Sequence, residues 1–342
     1  VKEIIMARRV TIGLIVALVA NGVFAPLVRA IGVECCFPVN FQDGSTNGQP
    51  NMITAGYWAR ADLDKVDIVV PNKNREECED NPVGESPYRA IGPNPIPSIY
   101  QVLQDPEKWK PYQSWLNYPE YQNVNLMINA NFFDVVNPKR GAYSNCGNGY
   151  GVTVSKKTLI SYNYDDEWAK PDALVFRENN PRSKARRVEI VTYYSAMSEF
   201  RRGVIENAIS GYRLLFNGQY RRPPEQIEPN NWYPRTAVGL DRDGKLVVVV
   251  INPGNNGKKN NTTEFTGGAR LESLANYMRD RLNVVNALAL DGSGSSQFYG
   301  VGNSGQKFYS LASDTRSELN ALSPNGKYFR PIPIVLGIRE RR

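Results

Sequence analysis

The stretch Ala287-Leu-Ala-Leu-Asp291-Gly-Ser-Gly-Ser-Ser296 decides how this chain is read. An apolar run ends on an acid, and the acid opens a loop of glycine and serine. The apolar residues predict a buried strand that holds Asp291 rigidly at its end. Gly292 and Gly294 are expected to take backbone conformations closed to other residues and to let a ligand approach the main chain closely. Ser295 and Ser296 add hydroxyls and amides. Together they read as an anion- or sugar-binding corner around one carboxylate. A glycine-rich turn after a core strand is the plainer reading of the same residues.

Working outward, Leu271, Leu274, Ala275, Met278 and Leu282 recur at helical spacing and predict an amphipathic helix that feeds this strand. Asp241-Arg-Asp-Gly244 lies between the apolar runs Thr236–Leu240 and Leu246–Ile251, a hairpin signal. A calcium loop of EF-hand type would need acids where Gly239 and Val250 stand, so the turn is the better reading. Ile209–Phe216 followed by Asn217-Gly218 reads as strand then turn. Asn125–Asn129, Gly149–Val154, Ala173–Phe176, Val188–Tyr194 and Asp67–Val70 are further strand candidates. Residues 38–56 read as coil, 71–100 as an irregular excursion, and 98–116 as short helices. Strands outnumber helices, which predicts one α+β domain with a mixed, largely antiparallel sheet and packed helices.

The sequence contains no histidine. That removes Ser-His-Asp and Cys-His catalysis, His-ligated zinc and imidazole acid–base chemistry. The net charge of +7 is modest and scattered, and no recognised nucleic-acid-binding module is present. Arg8 and Arg9 precede the apolar run Val10–Ala20, Pro26 breaks it, and Val28-Arg29-Ala30 has the form of a cleavage site. Residues 1–30 therefore read as a signal peptide, 31–119 as the N-terminal part of the exported domain, and 120–342 as its core. The expected location is periplasmic or extracellular, with no stable membrane span after cleavage. All four cysteines lie beyond the cut. Adjacent cysteines seldom pair with each other. Cys35 and Cys36 are therefore expected to bridge to Cys78 and Cys146, in one of two ways.

Several weak signals occur in a fixed order. They are Asn129-Ala-Asn-Phe-Phe-Asp134, Gly149-Tyr-Gly-Val-Thr-Val154, Ser210-Gly211, Pro234-Arg-Thr-Ala-Val-Gly-Leu-Asp241, the helix from Leu271, Asp291-Gly-Ser-Gly-Ser-Ser296 and Arg330-Pro331. This set resembles the phosphodiester glycosidase family over roughly residues 120–340. Ala130 and Asn131 stand where the family has two glycines, and Ser293 stands at another. Asn131 is expected to keep the turn by taking left-handed backbone angles.

The resemblance implies hydrolysis of a sugar-1-phosphodiester, of N-acetylglucosamine type, to free sugar and a phosphomonoester. It implies a phosphorylated glycan or sugar-nucleotide-like substrate and no cofactor, with calcium left open. Asp291 is the expected carboxylate at the sugar carbon, Arg235 the phosphate holder, and Asp134 the candidate second carboxylate. Asn129, Asn131, Thr236, Gly292, Gly294, Ser295 and Ser296 are the expected substrate-binding set. The rival readings are a non-catalytic envelope protein that binds anionic glycans and a metal-assisted hydrolase cutting the P–O bond.

Overall fold

The computed structural model describes residues 32–39, 42–43, 52–70, 124–133, 136–137, 142–143, 149–162, 169–178, 187–253, 268–311 and 334–341. The proposed signal peptide, the predicted helices in 98–116, Asp134, Cys78, Cys146 and Arg330-Pro331 lie outside them.

Two antiparallel sheets dominate the described residues. The larger has twelve strands, and its main path runs Val33–Pro38, Met52–Ala61, Leu246–Pro253, Arg235–Asp241, Val284–Ala289, Ile205–Phe216, Asp172–Arg177, Val188–Val191. The smaller has five, in the order Lys307–Leu311, Gln297–Val301, Leu126–Asn129, Val335–Glu340, Val66–Val69.

The valine run explains the layering. Along Leu246–Pro253, side chains alternate between two faces. Val248 and Val250 join a core cluster with Leu126, Ile128, Phe298 and Leu336 of the smaller sheet. Val247, Val249 and Ile251 join the other cluster, with Leu274, Ala275 and Met278 of the helix Leu271–Leu282. A strand covered on both faces must be apolar throughout, which is why the run shows no polar alternation. Each buried valine contributes roughly 1.5–3 kcal/mol.

The helix is stopped by Asn283, whose φ of 57° places it in the left-handed region, and its amide donates to Met278 O. Arg279 and Arg281 complement the dipole of the last turn. Its apolar stripe is the one expected from the sequence.

The α+β expectation is overturned. Among the described residues, nineteen strands accompany only two α-helices, Tyr193–Arg201 and Leu271–Leu282. The fold is mostly β, and every described ladder is antiparallel, so the sheet is not mixed. The helix Leu271–Leu282 leads directly into the strand Val284–Ala289, as expected, and that strand pairs antiparallel on both sides.

Three local expectations also change. Residues 52–56, expected as coil, belong to the strand Met52–Ala61, which pairs from Thr54 to Ala61 with Leu246–Pro253. Tyr193 and Tyr194 belong to a helix that Thr192 caps by accepting from Ser195 N at 3.3 Å. Cys35 and Cys36 are bonded to each other rather than to distant cysteines. The peptide between them is cis, and the pair packs over Gly300, where any Cβ would collide with both sulfurs.

Candidate active site

The strand Val284–Ala289 pairs with Arg235–Asp241 on one side and Ile205–Phe216 on the other, so its C-terminal end is held from both flanks. Beyond it, Leu290 N donates to Thr236 O at 2.9 Å. One residue later the chain changes partners: Asp291 N donates to Ala130 O at 3.0 Å. Asp291 therefore sits where the larger sheet hands the chain to the smaller one. Its carboxylate Oδ1 accepts from Gly292 N at 2.9 Å, and the residue is partly exposed.

Asn129 is the fastener of this junction. Its Nδ2 donates to Asp291 O at 2.6 Å. Its Oδ1 accepts from Thr236 Oγ1 at 2.7 Å and from Gln297 N at 3.1 Å. Asn129, Thr236 and Gln297 are all fully buried. One amide thus ties three strands together where no water reaches, and the low dielectric strengthens each bond.

The loop after Asp291 is closed on itself. Ser293 N donates to Pro234 O at 2.8 Å, Ser295 N to Gly292 O at 3.1 Å, and Ser296 N to Ser293 O at 3.2 Å. With Gly292 N on Asp291, these amides are committed within the chain. Gly292 has an ordinary φ of −124°, but a Cβ there would lie 2.9 Å from Pro234 O, so close approach explains the glycine. The left-handed residue is Ser293, with φ 54°. Ser295 and Ser296 are fully buried, and Ser296 Oγ has no hydrogen-bond partner among the described residues. Within the loop, Asp291 and Ser293 are the partly exposed residues, while Gly292, Gly294, Ser295 and Ser296 are enclosed.

Arg235 stands one strand away and is only 5% exposed. Its guanidinium donates to four backbone carbonyls: Ala269 O at 3.1 Å, Ile227 O at 3.1 Å, Glu228 O at 2.6 Å and Asn231 O at 2.9 Å. The Tyr233 ring centroid lies 5.2 Å from its Cζ. Burial pushes its pKa down to about 10, so it stays cationic at neutral pH. This geometry makes Arg235 a brace for residues 227–231 and 269, which fold over the start of its strand.

Asn131 is fully buried. Its Nδ2 donates to Tyr150 O at 2.9 Å and Thr153 Oγ1 at 2.8 Å, while its Oδ1 accepts from Ser210 N at 2.8 Å. Neither Ala130 nor Asn131 takes a positive φ, so the expected left-handed turn at Asn131 is absent. Sequence reasoning missed Gln297, Thr153 and Ser161, which complete the buried polar network. The available signal was polar residues at positions where strand periodicity demands apolar ones. Among the described residues, no three His, Cys, Asp or Glu side chains gather as a metal site.

A fixed, partly exposed carboxylate at a braced corner is a competent element of glycosyl hydrolysis. The family model of phosphodiester glycosidases matches residues 122–339. The chain belongs to the phosphodiester glycosidase family. Among solved structures, it is similar to the catalytic domain of zebrafish N-acetylglucosamine-1-phosphodiester alpha-N-acetylglucosaminidase, auto-inhibited by its pro-peptide. That match has 19% identity and a TM-score of 0.56, and covers 92% of this chain and 85% of the other. A hypothetical protein from Synechocystis aligns at 12% identity and a TM-score of 0.43, over 91% of this chain and 62% of that one. A protein from Burkholderia pseudomallei aligns at 12% identity and a TM-score of 0.44, over 85% of this chain and 75% of that one. No curated protein sequence matches the chain. Among the described residues, no helix is long and apolar enough to cross a membrane.

Proposed function

We propose that this chain hydrolyses a sugar-1-phosphodiester on its glycosidic side, with N-acetylglucosamine as the sugar, outside the cytoplasm. The observation that carries the reading is Asp291: a partly exposed carboxylate locked between two sheets in a member of this family. Water adds at the anomeric carbon, and the bond from that carbon to the phosphate oxygen breaks. The bonding pair leaves on the phosphate, giving a phosphomonoester, while free sugar retains the new hydroxyl. Phosphate leaves readily, so the chief demand is a carboxylate beside the carbon where positive charge develops. Asp291 fills that role, by stabilising that charge or by taking the proton of the attacking water. Asp134 is the proposed second carboxylate.

The buried polar residues support the corner. Asn129, Thr236 and Arg235 act as positioning residues, because their donors are committed to the chain. Asn131 does the same one turn away. Ser293, the partly exposed hydroxyl of the loop, is the proposed substrate contact there. The basic and apolar N-terminus supports export, so the natural substrate is a phosphorylated glycan of the envelope or the medium.

The deciding experiment incubates the protein with UDP-N-acetylglucosamine and with a methyl N-acetylglucosamine phosphodiester, and identifies products by mass. Free sugar plus phosphomonoester, lost in Asp291→Asn, is the expected result. Sugar phosphate as product would assign P–O cleavage instead. Binding without turnover would assign a glycan-binding protein.

A further inference from the structure

A second cleft lies away from Asp291. It opens where the edge strand Val66–Val69 of the smaller sheet meets the ladder of Asp172–Arg177, Val188–Val191 and Ile205–Phe216. Its volume is about 320 Å³, enough for a small metabolite. Glu206 and Asn207 line it. They precede Tyr212, which pairs with Ala289 at the candidate site, by five or six residues of extended strand. The two sites are therefore about 15–20 Å apart along that strand.

The wall is cationic. Lys156, Arg177, Arg187, Arg339 and Arg341 line the cleft, against the acids Asp67 and Glu206. The guanidiniums are held by acids, those of Arg177 and Arg187 by acids outside the lining. Arg177 Nε and Nη2 reach Glu199 at 2.7 and 2.8 Å, and Nη2 also reaches Glu189 at 3.1 Å. Arg187 Nη1 donates to Leu63 O at 2.8 Å and lies 3.6 Å from Asp64. Arg339 and Arg341 both reach Asp67, at 3.4 and 2.8 Å. This fixes planar cationic forks in place, the arrangement that recognises oxyanions. Ile68, Phe176 and Val188 supply an apolar wall beside them.

Lys156 carries an independent sign. It and Lys157 form the two-residue turn between Thr153–Ser155 and Thr158–Ser161, with φ of 45° and 66°. Such positions favour Asn and Gly, since other side chains crowd the left-handed backbone. The turn is tethered by Asn207 Oδ1 accepting from Lys156 N at 3.1 Å and by Glu206 O accepting from Lys157 N at 2.8 Å. A lysine of the cleft lining thus occupies a position that the local backbone disfavours.

We propose that this cleft is a second binding site, taking a compact organic anion of phosphate or carboxylate type that carries a small apolar group. The assignment stands independently of the role of Asp291. It is tested by calorimetric titration of the full chain with phenyl phosphate, phenylacetate and inorganic phosphate, at low and high salt.

One of the two aryl anions should bind at one equivalent, more tightly than inorganic phosphate, and more weakly at high salt. Whichever binds names the oxyanion. Lys156→Asn and Arg187→Gln should each weaken binding roughly fivefold or more. Lys156→Asn should also keep or raise the thermal midpoint, which separates lost binding from lost fold. Asp291→Asn should leave the titration unchanged. The proposal is overturned if neither aryl anion binds, or if inorganic phosphate binds as tightly as they do. Binding that survives both wall substitutions, or that disappears in Asp291→Asn, overturns it equally.

Discussion

Asn129 Nδ2 donates a 2.6 Å hydrogen bond to the backbone carbonyl of Asp291, across 162 positions of sequence. The same side chain accepts from Thr236 and Gln297. Asn129→Ala would strand three buried polar groups at once, so it should cost about 3 kcal/mol or more of stability. Urea unfolding of the two proteins checks this. A loss under about 1 kcal/mol would mean that the junction is not held by this amide.

Asp291→Asn keeps the shape of the side chain and an oxygen able to accept from Gly292 N. It removes the charge and turns the second oxygen into an amide donor. Turnover of the phosphodiester should fall at least 100-fold, the usual scale of an acid–base contribution. The thermal midpoint should barely move. Retention of more than roughly a tenth of wild-type activity would remove Asp291 from the chemistry.

Ser293 occupies left-handed backbone at φ 54° without being glycine. Ser293→Gly relieves a local penalty of roughly 1–2 kcal/mol and adds flexibility to the unfolded chain, for a net gain of about 0.5–1 kcal/mol. A rise in denaturation midpoint at unchanged m-value is the expected readout. If Ser293 also touches substrate, KM should rise in the same variant.

Arg235 tests two roles against each other. Its donors meet four carbonyls within the chain, so Arg235→Lys, which keeps the charge and loses the fork, should destabilise by about 2–4 kcal/mol. Below its lowered melting temperature, KM for the phosphodiester should stay close to wild type. A stable variant with a large rise in KM would instead make Arg235 the phosphate holder expected from the sequence.

Asp67 gives the acid limb of stability a signature. Burial raises its pKa, but hydrogen bonds from Arg341 and Arg339, with their charges, outweigh that and hold it below 3.8. A folded pKa below the unfolded one means the stabilisation is complete above about pH 4. It is lost as pH falls through the folded value. Asp67→Asn should therefore lower the thermal midpoint at neutral pH, and the two proteins should converge in strong acid. Parallel curves down to about pH 2.5 would show that the contact contributes nothing.

Much of the scaffold was legible because its signals are local. The helix Leu271–Leu282 follows from its apolar stripe, and the hairpin around Asp241-Arg-Asp-Gly244 from the runs on either side of it. Placing Asp291 at a strand end needed only the apolar run before it. The strand Met52–Ala61 was not legible, because its pairing partner lies nearly two hundred positions away. Gly56 looks like a loop residue, yet a Cβ there would run into Val250 O of the neighbouring strand. The aromatic pair Tyr193-Tyr194 favoured a strand until the Thr192 cap decided for helix. The polar residues named for the site are buried together at the junction, and their donors are engaged by the chain itself. Sequence lists donors; it does not say which of them the fold has already consumed, as it has for Asn129, Asn131 and Arg235.

The chain crosses from one sheet to the other between Ala289 and Gln297, and the acid sits on the crossing. The acid is thus held by both layers at once. Grafting the glycine-serine loop onto another scaffold would move the letters without the geometry. A transplant would need both strand ends, the asparagine between them and the core that keeps the layers in register.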